Sequence, residues 1–204
     1  MPLPRSPIPA PLAENSLANA AGESAETLAL MALRRSTKVV HFTSPGPQAA
    51  ELDALLELAA HVPDHGKLGP WRFVVMEGEG RARAGEALAS VGADAQSAEI
   101  ARQTFLRGPV CVMVVSTAAP HAKIPEWEQQ LSAGAACFAL MLAAHAMGYG
   151  GCWLTGWPVY DGRARAALGL AEHERIAGFV HLGTPTETPT ERVRVDWAAR
   201  VTRF

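Results

Sequence analysis

Three scarcities in this chain of 204 residues exclude function classes before any motif is read. Cysteine is rare: Cys111, Cys137 and Cys152 each sit among apolar neighbours, and no two of them are spaced as a CxxC or a zinc-ligand pair. An odd count cannot close into a complete disulfide framework, so the three read as small buried hydrophobes of a reducing, cytoplasmic compartment. Charge of neither sign is in excess, with 18 Lys+Arg against 20 Asp+Glu. So balanced a chain offers no broad basic face, which argues against nucleic acid as a partner. Signature motifs are scarce as well. There is no GxxxxGK[ST] for a phosphate loop and no GxSxG for a nucleophile elbow. His61 and His65 have Pro63 between them and no Glu after His61, which disfavours a helical zinc site, and no metal is expected. EGEGRAR at 77–83 begins like a dinucleotide fingerprint but carries Arg83 at the third glycine position, so it reads as a turn between strand and helix.

Sequence of 49% hydrophobic composition supports an ordinary core. At this length a chain buries roughly 70–75% of the surface its unfolded form exposes, without help from metal or disulfide. Residues 1–24 are rich in Pro, Ala and Ser and lack the continuous apolar stretch of a secretory signal, so they read as a flexible tail before one domain at 25–204. Hydrophobic spacing predicts a helix from Ala25 to the Arg34–Arg35 pair and a second after Pro45 and Pro47, ending at Pro63. Further helices are expected at 81–90, 95–107, 126–147 and 162–168, with strands at 71–76, 110–116, 152–155 and 176–182, the first and last of them buried. Strands alternating with helices mean an α/β or α+β layered fold.

From Leu131 to Tyr160 there is no Asp, Glu, Lys or Arg. A membrane span is rejected, because Ser132, Gly134 and His145 interrupt the stretch, GYGG ends it, and its many alanines insert only weakly. A helix apolar on nearly all sides must instead be covered all round, and a second subunit is the simplest cover, so a homodimer is expected.

Two polar segments stand out. Arg34, Arg35, Ser36 and Lys38 place three cations and a hydroxyl where a helix ends. Arginine forks and a hydroxyl suit phosphate oxygens, yet cations at a helix C-terminus also simply favour its dipole, and composition leaves both open. PDHGKLGPW at 63–71 puts Asp64, His65, Lys67 and Trp71 in a loop between core elements, a setting that suits function but also a plain turn.

With those segments goes a resemblance. RRSTK at 34–38, PDHGKLGPWRF at 63–73, IPEWEQQLSAGAA at 124–136, GYGGCW at 148–153 and GFVHLGTP at 178–185 stand in the order and spacing of the nitroreductase family of FMN-dependent NAD(P)H oxidoreductases, especially its short members. The resemblance implies an α+β fold with a central, mainly antiparallel sheet flanked by helices, in an intertwined homodimer with its long helix at the interface. By position it assigns Arg34, Arg35 and Ser36 to the FMN phosphate and ribityl end, and Lys38 to the pyrimidine edge of the flavin. His61, His65 or Lys67 would approach from the partner subunit, and Trp153, Leu154 and Thr155 would run beside the ring. Some relatives carry Arg where this chain has His61 and Leu154. A late basic residue, Arg192 or Arg194, would complete the phosphate site, and Ala143, Ala144, His145, Ala146, Met147 and Gly148 correspond to a stretch linked with the nicotinamide. The implied activity is hydride transfer from NADH or NADPH to flavin N5 and on to a small-molecule acceptor such as a nitroaromatic or quinone, with no protein nucleophile. The alternative is an FMN-binding carrier or sensor dimer without turnover.

Overall fold

A computed structural model describes residues 9, 12–13, 16 and 22–204. Most of the segment read as a flexible tail lies outside the described residues. Ser24 is an exception, because its hydroxyl accepts from the Thr27 amide and caps the first helix, α1 (Ala25–Leu33).

Alternation of side chains along the strands builds the core. Strand β3 (Val110–Ser116) is buried at every residue and pairs antiparallel with β2 (Trp71–Glu77) on one side and β5 (Arg175–Pro185) on the other. Strand β4 (Gly150–Leu154) pairs antiparallel with β5, as does the short β1 (Phe42–Thr43) near the end of β5. With β2 at an edge, Trp71 to Val75 are half-buried rather than buried as expected, and Met76 is buried. Val110, Val112, Val114, Val180 and Leu182 face α2 (Ala49–Ala60) and α5 (Glu126–Ala146). Their neighbours Cys111, Met113, Val115 and Phe179 face the other way, onto α3 (Glu79–Ala89), α4 (Ala95–Thr104) and α7 (Gly162–Ala167). A further turn of helix, α6 (Trp157–Tyr160), follows β4.

Helix α5 spans the domain beside the sheet. Glu126 and Glu128 lie in its first turn, where acidic groups complement the dipole. It stops at Gly148, whose φ of 78° is left-handed, with the Tyr149 amide donating back to the Ala144 carbonyl at 2.9 Å. One face, including Ala136, Cys137, Leu140 and Ala144, is buried; the opposite face leaves Trp127 66%, Leu131 53% and Phe138 40% exposed. No helix among the described residues is long and apolar enough to cross a membrane. All three cysteines are unpaired and buried, and burial raises their thiol pKa values, that of Cys137 to about 12.

Candidate functional site

Residues 34–38 leave α1 and wrap the C-terminal end of α5. The Thr37 amide donates to the Gly151 carbonyl at 3.1 Å, which hooks the segment onto the start of β4, and Thr37 is buried. Gly150 has to be glycine here, because a Cβ would come within 2.8 Å of Thr37 Oγ1. Arg34 lies with its guanidinium carbon 6.0 Å from the centre of the Phe138 ring of α5. Its Nη1 is buried and has no hydrogen-bond partner. A buried charged donor left unsatisfied is costly, so this atom marks a place built for an acceptor.

The rest of the segment supplies further polar groups. Arg35, Ser36, Lys38 and His41 line a cavity of about 200 Å³ with Glu187 and Thr188. A second cavity of about 400 Å³ lies against Arg34, Arg35, His145 and Gly150. Arg35 is already engaged: Nη1 donates to the Thr190 carbonyl at 2.7 Å and pairs with Glu191 at 3.2 Å. Glu191 also accepts from Arg194 at 3.1 Å and from the Arg192 amide at 2.7 Å. The hydrogen bond from Arg194, then the Arg192 amide, holds the Glu191 carboxyl down at about 2. Arg192 and Arg194 are thereby held next to the segment through Glu191.

The second sequence-predicted group sits at the other end of α5. His61 closes α2, while His65 Nδ1 meets Glu128 Oε2 at 2.7 Å. Ser132 ties the loop down, donating to the Pro63 carbonyl at 2.7 Å and accepting from Trp71 Nε1 at 3.2 Å. Gly66 and Lys67 follow with φ of 74° and 55°, and a Cβ on Gly66 would come within 2.6 Å of Ile124. A lysine in the left-handed region is sterically disfavoured, and its side chain points to a surface that this chain alone does not cover. From Glu128 to His145 is about 25 Å of helix at roughly 1.5 Å per residue. Within one chain, therefore, His61, His65 and Lys67 are not brought to Arg34–Lys38.

Between these ends runs β4. Trp153 and Leu154 are each 38% exposed, and Thr155 follows them at the surface. The Trp153 indole lies over Gly178 of β5, where a Cβ would be 1.9 Å from Nε1, and that nitrogen donates to the Ala177 carbonyl. The stretch 143–148 is the closing turn of α5. Ala144 is buried, Ala143 and Met147 pack against the core, and His145 is held by two backbone carbonyls, leaving Ala146 and Gly148 exposed. Sequence reasoning missed the anchoring of Thr37 and the part played by Glu191. The only cue was that the first belonged to RRSTK and the second adjoined the late arginines. Among the described residues no cluster of three His, Cys, Asp or Glu could hold a metal.

A donor-lined pocket on a helix-wrapped antiparallel sheet matches a known group of proteins. The model of the Nitroreductase family matches residues 31–184, and the chain belongs to that family. It is 37% identical over 164 residues to "Putative NAD(P)H nitroreductase YdjA" of Escherichia coli (strain K12), covering 78% of this chain and 88% of that protein. A Haemophilus influenzae protein, also named "Putative NAD(P)H nitroreductase", is 37% identical over 175 residues, covering 83% and 94%. Among solved structures, a nitroreductase-like family protein from Bacillus cereus superposes with a TM-score of 0.80 at 23% identity, covering 91% of this chain and 99% of that one. A Bacteroides fragilis nitroreductase with bound FMN superposes at 0.65 and 22% identity, over 89% and 100%. The fold is the nitroreductase-like α+β fold.

Proposed function

We propose that this chain is an FMN-dependent NAD(P)H oxidoreductase that passes two electrons to a small acceptor such as a nitroaromatic or a quinone. The observation that carries this is the buried, partnerless Nη1 of Arg34 in a segment with Ser36 and Lys38, within a family whose relatives are named NAD(P)H nitroreductases. The donor set fits FMN: Arg34 offers an unsatisfied N–H and Ser36 a hydroxyl to the phosphate end, and Lys38 a point charge for the pyrimidine edge of the ring. Arg35 would share its fork between that phosphate and Glu191, and Arg192 stands near enough to join. When bound, FMN supplies the redox chemistry, taking hydride from NADH or NADPH at N5 and delivering two electrons to the acceptor. The protein's own residues bind and orient it, and cations near the pyrimidine edge stabilise the negative charge of the reduced ring. No side chain is needed as acid or nucleophile.

The working unit we propose is a homodimer. Support comes from the outer stripe of α5, with Trp127, Leu131 and Phe138 exposed, and from α1, which buries none of its residues and exposes Leu28 64% and Met31 56%. The two loops at opposite ends of α5 argue the same way. A two-fold partner running antiparallel would bring His61, His65 and Lys67 of one subunit to Arg34–Lys38 of the other, with Trp153, Leu154 and Thr155 between. Buried, unpaired thiols fit a cytoplasmic setting.

The test is an absorption spectrum of the purified full-length protein before and after anaerobic addition of NADH or NADPH. A flavin band at about 450 nm, characteristic of the cofactor, is expected to bleach. A band that persists with both nucleotides overturns the reductase in favour of an FMN carrier or sensor. No band even after FMN is added overturns FMN binding itself.

A further inference from the structure

His145 stands at the end of α5 where the cofactor-binding segment crosses it. Its two ring nitrogens both meet backbone carbonyl oxygens. Nδ1 lies 2.6 Å from the Met141 carbonyl, one turn earlier in α5, and Nε2 lies 2.8 Å from the carbonyl of Arg35. The ring has little room to move, because a Cβ on Gly151 would already sit 3.2 Å from its Cε1. Thr37, two residues beyond Arg35, is hooked to that same glycine through its amide. Ring and hook together fix the backbone of the segment from which Arg34 and Ser36 project.

We propose that His145 is a positioning residue for the phosphate-binding segment, its ring bridging the Met141 carbonyl of α5 and, through Nε2 at 2.8 Å, the Arg35 carbonyl. The proposal rests on the assignment of residues 34–38 to the FMN phosphate. It gives this histidine a place beneath the phosphate segment and not against a nicotinamide.

Equilibrium dialysis of the full-length protein and of His145→Gln, against FMN and against riboflavin, separates the possibilities. Riboflavin carries the same ring and ribityl chain without phosphate. Wild type is expected to prefer FMN, and His145→Gln to lose up to about tenfold of that preference with riboflavin affinity unchanged, as when a hydrogen bond is lost. Gly151→Ala, which crowds the ring without deleting it, should reproduce the loss. Equal weakening for both flavins would make His145 a merely structural residue and overturn the proposal, as would no change for either. Wild type binding riboflavin as tightly as FMN would overturn the phosphate assignment itself, and this inference with it.

Discussion

Among the described residues two buried polar side-chain atoms lack a hydrogen-bond partner, Arg34 Nη1 and His181 Nδ1, and they lie in contrasting surroundings. Arg34 borders a cavity of about 400 Å³ beside a second arginine and against the exposed side of α5. His181 is closed in on the opposite face of the sheet. It is 1% exposed, its ring lies nearly parallel to Phe105 at 6.4 Å, and Nε2 is 3.8 Å from the Cys111 sulfur. A guanidinium stays charged wherever it is put, so its orphan N–H calls for an anion. An imidazole can give up its proton, and burial, followed by the charge of Arg107, pushes His181 down to about 4. An unsatisfied atom therefore points to a ligand only when its group cannot neutralise itself and has an opening beside it.

The contrast can be broken in several ways, the strongest on the Arg34 side. Leu131→Asp puts a carboxylate into the exposed stripe of α5, and burying it unpaired costs about 3–5 kcal/mol of dimer affinity. Sedimentation should show a smaller particle with reduced FMN content; an unchanged size would mean that the stripe is not the interface. On the other face, His181 takes its proton more readily in the unfolded chain, because its folded value lies below the ordinary 6.5. Its share of stability is thus complete above about pH 6.5 and is lost as pH falls toward 4, about 3 kcal/mol in all. Thermal melts of His181→Leu should decline less than those of wild type across that window, with FMN affinity untouched, and parallel curves would count against the assignment.

Arg34→Ala should weaken FMN by about 10- to 100-fold, the worth of a hydrogen bond from a charged donor, with little change in melting temperature, since Nη1 has no protein acceptor to lose and the contact with Phe138 is worth about 0.5–1 kcal/mol. If FMN retention held and stability fell, Arg34 would be a structural residue like His181. Smallest is Lys67→Gly, which relieves the left-handed backbone and should raise stability by about 0.5–1 kcal/mol in denaturant titrations. A loss instead would show that the lysine side chain is held by contacts of its own.

Much of this was legible beforehand. Strand Val110–Ser116 is found residue for residue, since an unbroken apolar run rich in Val can satisfy both faces of a sheet. The long helix falls one residue short of its expected end, with Gly148 stopping it as GYGG suggested. The two-residue β1 and the turn of helix at Trp157–Tyr160 went unseen because such short pieces carry no periodicity. Half-burial of Trp71 to Val75 was hidden for a different reason: strand order, not local composition, makes a strand an edge. At the site, RRSTK stood out by charge, whereas His145 showed as a break in an apolar face and, through the resemblance, within a stretch linked with the nicotinamide. Its partner, the Arg35 carbonyl, lies far away in the chain, and no spacing rule connects a side chain to a distant backbone oxygen.

The indole of Trp153 occupies the space above Gly178, and its far edge comes near Gly134 of α5, where a Cβ would lie 3.9 Å away. Positions 153 and 178 therefore form one exchangeable unit. Bulk can be moved from one to the other but not added to both, so variation at either is silent or ruinous according to what the other holds. Anyone reshaping the middle of this groove for a larger acceptor has to redesign them as a pair.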